Sequence, residues 1–338
     1  MYDEGREIKE IAEEFRKEFE GKTVLVSGAA GFLGSWLSDV LLEAGAEVCG
    51  IDNFASGLRR NIERALEREN FHFYEGDVSK KLLEEVLKER YDFVFHLASR
   101  ASPFEFEHYP LEIIDSNTIG TRNMLEIAKK SDARFLFTST SEIYGQPKVV
   151  PTPENYWGYV NPIGIRSCYD ESKRLGETIT MAYHRQYDLD VRIVRIFNTY
   201  GPRMRADGIY GRVVPRFVAQ ALKGEPITVF GDGKQTRSFC YVTDQIRGIL
   251  KLMLSERVKG EVVNIGNPDE ITILHLAEVV KELTGSDSKI EFHPLPPDDP
   301  PRRCPDITKA KKLLDWEPLV GLREGLEKTI EWFKGVLE

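Results

Sequence analysis

Tyr169 and Lys173 lie four residues apart in Tyr-Asp-Glu-Ser-Lys, so on a helix they share one face, a turn apart. A tyrosine phenol titrates at about 10 and is a poor base at neutral pH. A lysine beside it stabilises the phenolate, and positive charge on an oxidised nicotinamide adds to the effect. Tyr169 can then take a proton from a hydroxyl while hydride leaves the same carbon. Upstream, Thr140-Ser141-Glu142 supplies a hydroxyl that can bond the same group and a carboxylate next to it. A Tyr-x-x-x-Lys pair also arises by chance on helices, so its weight comes from what surrounds it.

A second group of residues could hold a dinucleotide. Gly28-Ala-Ala-Gly31-Phe32-Leu33-Gly34 falls between a strand pattern and a helix pattern. Glycines there permit a tight turn and close approach to a pyrophosphate, and the helix N-terminus adds N–H donors and a positive dipole. The spacing is G-x-x-G-x-x-G. Asp52, followed by Asn53, ends the next strand. Its carboxylate suits ribose hydroxyls and repels a 2′-phosphate, which favours NAD over NADP, although Arg59 or Arg60 nearby could soften that preference. Asp77 and Val78 end a third strand beside the adenine position, and Leu97-Ala98-Ser99 ends a fourth where a loop borders the cofactor. A glycine-rich turn that binds nothing is the bland alternative.

The elements that must position these groups follow from periodicity. Residues 6–20 read as an amphipathic helix with Ile8, Ile11, Phe15 and Phe19 on one stripe. Apolar strands are expected at Thr23–Ser27, Glu47–Asp52, Phe71–Gly76, Phe93–Ala98, Arg134–Ser139 and Val191–Phe197, separated by helices at Phe32–Ala44, Ser79–Glu89, Ile113–Lys130 and Tyr169–Tyr187. Unbroken apolar strands alternating with helices describe an α/β fold, a Rossmann-like doubly wound parallel sheet. Beyond Asn198 elements shorten and Pro and Gly increase; Pro294–Pro305 holds six of the 17 prolines and reads as a loop. The expected organisation is an N-terminal helix over 1–20, a cofactor domain over 21–198 with a return near 238–264, and a smaller C-terminal α/β substrate domain over 199–338.

Composition narrows the classes. The length of 338 residues suits two domains, and 41% hydrophobic with 30% charged residues is ordinary for a globular chain. A net charge of −9 argues against a general nucleic-acid binder. No apolar run approaches a membrane span, and the polar, acidic start does not read as a secretory signal. Cys49, Cys168, Cys240 and Cys304 form no C-x-x-C pair and the six histidines lack ligand spacing. That speaks against a metal cage and for reduced thiols in a cytoplasm.

Several stretches carry a more specific likeness: His96-Leu-Ala-Ser, Asn117-Thr-Ile-Gly-Thr, Ser139-Thr-Ser-Glu-Ile-Tyr-Gly145, Tyr156-Trp-Gly-Tyr-Val-Asn-Pro-Ile-Gly164, Cys168-Tyr-Asp-Glu-Ser-Lys-Arg174, Arg195-Ile-Phe-Asn-Thr-Tyr-Gly-Pro-Arg203 and Pro305-Asp-Ile. From Gly21 onward the chain resembles the extended short-chain dehydrogenase/reductases that act on nucleotide sugars, and within them the UDP-glucuronate decarboxylases, or UDP-xylose synthases. The resemblance implies oxidation at C4 of UDP-glucuronate, loss of carbon dioxide from the resulting β-keto acid, and re-reduction. It implies Thr140, Ser141, Glu142, Tyr169, Lys173 and Arg303 as catalytic, with Asn117, Tyr169 and Lys173 also bordering NAD. Arg303, rather than its neighbour Arg302, would hold the substrate carboxylate. Asn198, Arg212 and Arg237 would hold the diphosphate or sugar, and Thr228 to Phe230 the uracil. Tyr241 and Asp244 read as fold-holding residues.

Glu142 separates the relatives. The 4,6-dehydratases of this superfamily carry Asp-Glu after the Thr, whereas here the first position is Ser141. The 4-epimerases carry a small residue at the position of Glu142. A UDP-sugar 4-epimerase of hexuronates or hexoses, and less readily a 4,6-dehydratase, stay open as alternatives, as does a non-catalytic dinucleotide-binding protein. The resemblance also implies a homodimer through Ile113–Lys130 and Tyr169–Tyr187, and no nucleic-acid or membrane partner.

Overall fold

The computed structural model of the chain describes residues 2–81, 84–207, 212–295 and 299–337. At its centre is a parallel sheet of seven strands: β1 (Thr23–Ser27), β2 (Glu47–Asp52), β3 (Phe71–Glu75), β4 (Phe93–His96), β5 (Arg134–Thr140), β6 (Val191–Ile196) and β7 (Glu261–Ile265). Their spatial order is β7-β6-β5-β4-β1-β2-β3. Strands β1, β2 and β5 are buried nearly end to end, as apolar runs covered on both faces must be. The order reverses between β1 and β4, which pair in register from Val24↔Phe93 to Ser27↔His96. Ligands of open α/β sheets bind in the crevice such a reversal leaves at the carboxyl ends.

Three expected strands end early. β3 stops at Glu75, β4 at His96 and β6 at Ile196, each followed by one more N–H bonded to the neighbouring strand: Gly76 to the Asp52 carbonyl at 3.0 Å, Leu97 to that of Ser27 at 3.1 Å and Phe197 to that of Ile265 at 3.1 Å. Of the expected helix 79–89, Glu84–Lys88 is helical and residues 82–83 lie outside the described residues.

The helix expected at Ile113–Lys130 starts earlier and runs as three consecutive pieces: Pro110–Asp115, a π-turn at Ser116–Gly120, and Thr121–Ser131. Thr118 and Thr121 each donate their hydroxyl to the carbonyl four residues back, at 2.6 Å, and such bonds compete with the backbone ladder. The widened turn presents Asn117 to Ser172 of the long helix Ser167–Tyr187, at 2.9 Å.

Beyond β6 the elements are short. Ile227–Phe230 pairs with Ile290–His293. Thr236–Ser238 lies between Glu270–Thr272 and Arg302–Arg303. The last pair is a correction: within the proline-rich segment read as loop, Arg302–Arg303 forms a parallel strand on Thr236–Arg237. Helix Val242–Leu254 leads back to β7, which adds to the main sheet beside β6. Among the described residues no helix is long and apolar enough to cross a membrane. All four cysteines are free and buried, and the described residues hold no metal-binding cluster.

The N-terminal helix, Glu4–Phe19, is capped by Asp3 and buries Ile8, Ile11, Ala12, Phe15 and Phe19. Its Glu4 accepts from Arg203 at 2.9 Å, and the same guanidinium reaches Asp39 at 2.6 Å and the Asn61 carbonyl at 3.2 Å. Asn61 in turn donates to the Ala30 carbonyl within the glycine-rich turn. This buried ion cluster therefore ties the helix to that turn. Tyr241 reaches the same helix through Glu7 at 3.1 Å, and Asp244 accepts from the Leu319 and Val320 N–H groups.

Removing one partner of a buried pair leaves charge without compensation, at a cost of about 3–5 kcal/mol. Arg203→Leu should lose about that much stability in equilibrium chemical denaturation; a loss below about 1 kcal/mol would show that the cluster contributes little.

Candidate active site

The glycine-rich turn is built around contacts no side chain could share. Gly28 sits at φ 74°, and a Cβ there would lie 2.8 Å from the Ala98 nitrogen; at Gly34 it would lie 2.0 Å from the Gly28 carbonyl oxygen. Gly31 caps helix Phe32–Glu43, so Phe32 and Leu33 bring the first N–H groups of that helix to the crevice. The Asp52 carboxylate braces the turn, accepting from the Ala30 N–H at 3.0 Å and from the Phe54 N–H at 2.8 Å. Burial raises its pKa and those backbone donors oppose the rise. Gly28, Gly31, Asp52, Asn53, Asp77, Val78, Leu97, Ala98 and Ser99 all line one cleft. A bare backbone turn, a helix N-terminus and a strand-end carboxylate together fit a dinucleotide diphosphate and ribose. Asn117, fully buried against Ser172, stands behind this cleft and is not among the residues lining it.

Tyr169 and Lys173 lie on the buried face of the long helix. The Lys173 ammonium donates to the Thr138 carbonyl at 2.8 Å and stands 5.9 Å from the centre of the Tyr169 ring. Burial lowers Lys173 to about 7. Burial likewise pushes Tyr169 up to about 12, against the pull of Arg212 and a side-chain hydrogen bond with Thr140. Phe106 stacks on the Tyr169 ring at 5.1 Å between centroids. The phenol is thus protonated at neutral pH, and added positive charge nearby favours the phenolate.

The third group centres on Glu142, in the short 3-10 turn Ser141–Tyr144 that follows β5. Its N–H donates to Thr140 Oγ1 at 3.2 Å. Its carboxylate accepts from both terminal nitrogens of Arg303, one at 2.7 Å, and from Arg166. Burial acts to raise its pKa, but Arg166 and Arg303 together hold it down at about 2. Asp170 lies 4.0 Å from Arg166, and its second oxygen is buried without a partner. Burial first, and Glu142 second, push Asp170 up to about 7, with Arg166 opposing.

The two candidate arginines near the C-terminus are told apart by geometry: the Arg302 side chain is 53% exposed on Glu270, that of Arg303 7% exposed on Glu142. Arg237 sits beside Arg303 in the neighbouring strand, paired with Asp299 at 2.8 Å, and its charge acts on Glu142. Arg212 donates to the Ala101 carbonyl at 2.9 Å. Asn198 donates to the Ser238 carbonyl at 3.3 Å. Thr228 and Phe230 form a separate group, with Gln220 hydrogen-bonded to Thr228 and Arg216 standing 4.8 Å over the Phe230 ring.

Arg166, Asp170, Arg216 and Asp299 escaped the sequence reading. Arg166 lies three residues before Tyr169 and so on the same side of the helix start, which was a usable signal; Asp299 carried none.

The fold and site define an NAD-dependent enzyme class, and comparison agrees. Residues 24–266 match the model of the NAD dependent epimerase/dehydratase family, and the chain belongs to that family. Within it, the chain is 52% identical over 311 residues to UDP-glucuronic acid decarboxylase 4 of Arabidopsis thaliana, covering 92% of this chain and 68% of that protein. It is 50% identical over 324 residues to UDP-glucuronic acid decarboxylase 1 of Danio rerio, covering 96% and 75%. Among solved structures it superposes with TM-score 0.85 and 31% identity on UDP-glucuronic acid 4-epimerase of Bacillus cereus in complex with UDP-glucuronic acid and NAD, covering 93% and 99%.

Two outcomes follow. Gly34→Ala should abolish NAD binding measured by calorimetry, because the added carbon meets backbone; ordinary binding would refute the tight-turn account. Asp170 has a folded pKa above its unfolded value, so its stabilising contribution is full below about pH 4 and is lost as pH rises through about 7. Asp170→Asn should therefore raise the thermal midpoint by a few degrees at about pH 8 and much less at about pH 4. A shift of the same size at both would contradict the assignment.

Proposed function

We propose that this chain is an NAD-dependent UDP-glucuronic acid decarboxylase that forms UDP-xylose. Its cofactor would lie on the Gly28–Gly34 turn, with the ribose at Asp52 and the nicotinamide toward Tyr169. NAD, when bound, supplies a hydride acceptor at sugar C4 and the hydride for the final reduction.

The roles of the side chains follow from where they sit. Tyr169, hydrogen-bonded to Thr140, takes the proton of the C4 hydroxyl. Lys173, fixed by the Thr138 carbonyl, supplies the field that favours the phenolate. The C4 ketone so formed stands β to the carboxylate. When the bond from C5 to the carboxyl carbon breaks, its electron pair passes into the C4 enolate and carbon dioxide leaves. C5 then takes a proton from a water molecule that the Glu142 carboxylate and Ser141 would position, and the hydroxide left behind is taken up by the departing carbon dioxide as bicarbonate. Tyr169 returns its proton to O4 as the ketone is reduced. Arg303 would bind the carboxylate bidentately and turn it out of the ketone plane. Arg237, Arg212 and Asn198 would hold the diphosphate, since arginine offers planar, fixed donors to phosphate oxygens. Thr228 and Phe230, backed by Arg216, would border the uracil.

The single observation that carries this reading is the buried Glu142–Arg303 pair beside Tyr169, a carboxylate and an arginine able to bind one, which would face the ring carbon next to the one oxidised. A UDP-hexuronate 4-epimerase is the second reading, favoured by the structural likeness to the Bacillus cereus enzyme. It gives Arg303 work but leaves Glu142 without a task, because nothing is protonated at C5. The exposed apolar residues Leu111, Ile114, Ile119 and Leu175, on Pro110–Gly120 and on the long helix, support a homodimer through those elements. The four free buried thiols suit a cytoplasmic location.

Incubation with UDP-glucuronic acid and NAD, followed by mass spectrometry, should give a UDP-pentose and carbon dioxide. Tyr169→Phe should lower that turnover by about a thousandfold or more and leave NAD binding intact. An unchanged mass with an inverted C4 centre would establish the epimerase instead, and persistent turnover in the variant would mean another base.

A further inference from the structure

The Glu142–Arg303 pair has a second consequence, which rests on the decarboxylase reading. The arginine meant for the substrate carboxylate is already occupied. Arg303 gives both terminal nitrogens to Glu142, in the forked geometry that a uronate would use. Arg166 binds the same carboxylate.

We infer that Glu142 is an internal stand-in for the substrate carboxylate, and that a UDP-uronate binds by taking Arg303 away from it. Two unsatisfied groups show that the resting cluster is not closed on itself. Arg303 Nε is buried with no hydrogen-bond partner, in a side chain that is only 7% exposed. Asp170, 5% exposed, keeps one buried oxygen unpartnered, with its other oxygen 4.0 Å from Arg166. Arg166 therefore has Glu142 and Asp170 within reach and can hold Glu142 after Arg303 has turned. Arg237 does not fill the gap, because Asp299 holds it at 2.8 Å.

Two effects follow from this exchange. The first is on affinity. A pair formed with the substrate replaces an equivalent pair broken within the protein, so the substrate's carboxylate adds little to net binding while the released Glu142 becomes free beside C5. Interactions withheld from the ground state in this way favour turnover over tight binding. The second is on selectivity. A neutral UDP-hexose has no carboxylate to displace Glu142, so Arg303 stays engaged and the reactive arrangement is not assembled.

The test is Glu142→Gln, which keeps the shape and removes the charge. Binding of UDP-glucuronic acid, UDP-glucose and UDP to the NAD-loaded protein would be measured by calorimetry. Affinity for UDP-glucuronic acid should rise by about tenfold or more, while affinities for UDP and UDP-glucose stay within about twofold and turnover falls. Unchanged or weaker binding of UDP-glucuronic acid, with UDP bound normally, overturns the inference. Should the variant fail to bind UDP, its fold is at fault, and a crystal structure of Tyr169→Phe with UDP-glucuronic acid decides. There Arg303 on the sugar carboxylate supports the exchange, and Arg303 still on Glu142 overturns it. Failure of the decarboxylase reading shows separately, as wild-type protein that releases no carbon dioxide.

Discussion

One buried hydrogen bond sets the geometry on which the rest depends: the Lys173 ammonium donating to the Thr138 carbonyl on β5. A lysine without this acceptor would be an unpaired polar group in a dry interior, so the bond fixes how the long helix lies against the strand. Two residues further along β5, Thr140 then meets Tyr169, and the next turn delivers Glu142. Glu177 fastens the same helix one turn later, accepting from Ser139 at 2.5 Å and from Arg195 at 2.8 Å. The base, its hydroxyl partner and the C5 carboxylate are therefore placed by one strand and one helix in fixed register.

Charge is the second constraint. The site gathers Arg166, Arg237 and Arg303 around Glu142 and Asp170, and burial makes each of these groups sensitive to the others. An anionic ligand changes that balance more than it would in water, because the effective dielectric is low. This is why Glu142 is held far below the ordinary carboxylate range while Asp170, one turn from Arg166, is held far above it. The N-terminal helix adds a third layer, with Glu4, Arg203, Asp39 and Asn61 linking it to the carbonyl of Ala30 beneath the cofactor turn.

Much of the sheet could be read from sequence, because strands covered on both faces announce themselves as unbroken apolar runs. β1 and β2 match the expected bounds to the residue. The glycine-rich turn was legible because its constraint is local. The π-turn at Ser116–Gly120 was not, since helix periodicity carries no sign of where threonine hydroxyls will draw on the backbone. The parallel strand at Arg302–Arg303 was hidden by flanking prolines. Arg303 entered through a family likeness; its bond to Glu142, 161 residues away, depends on the fold. Asp170 was missed because Glu142, which helps to raise it, comes from another element, whereas Arg166 had a local signal in its place three residues before Tyr169.

In the proposed reaction hydride leaves sugar C4, carbon dioxide departs from the 4-keto acid, and the hydride returns to the same carbon. UDP-glucuronic acid deuterated at C4, turned over by the NAD-loaded protein and analysed by NMR and mass spectrometry, tests it directly. The UDP-xylose formed should retain deuterium at C4. A UDP-hexuronate returned with its carboxylate intact and C4 inverted would contradict this course, and so would a UDP-pentose that has lost the C4 deuterium.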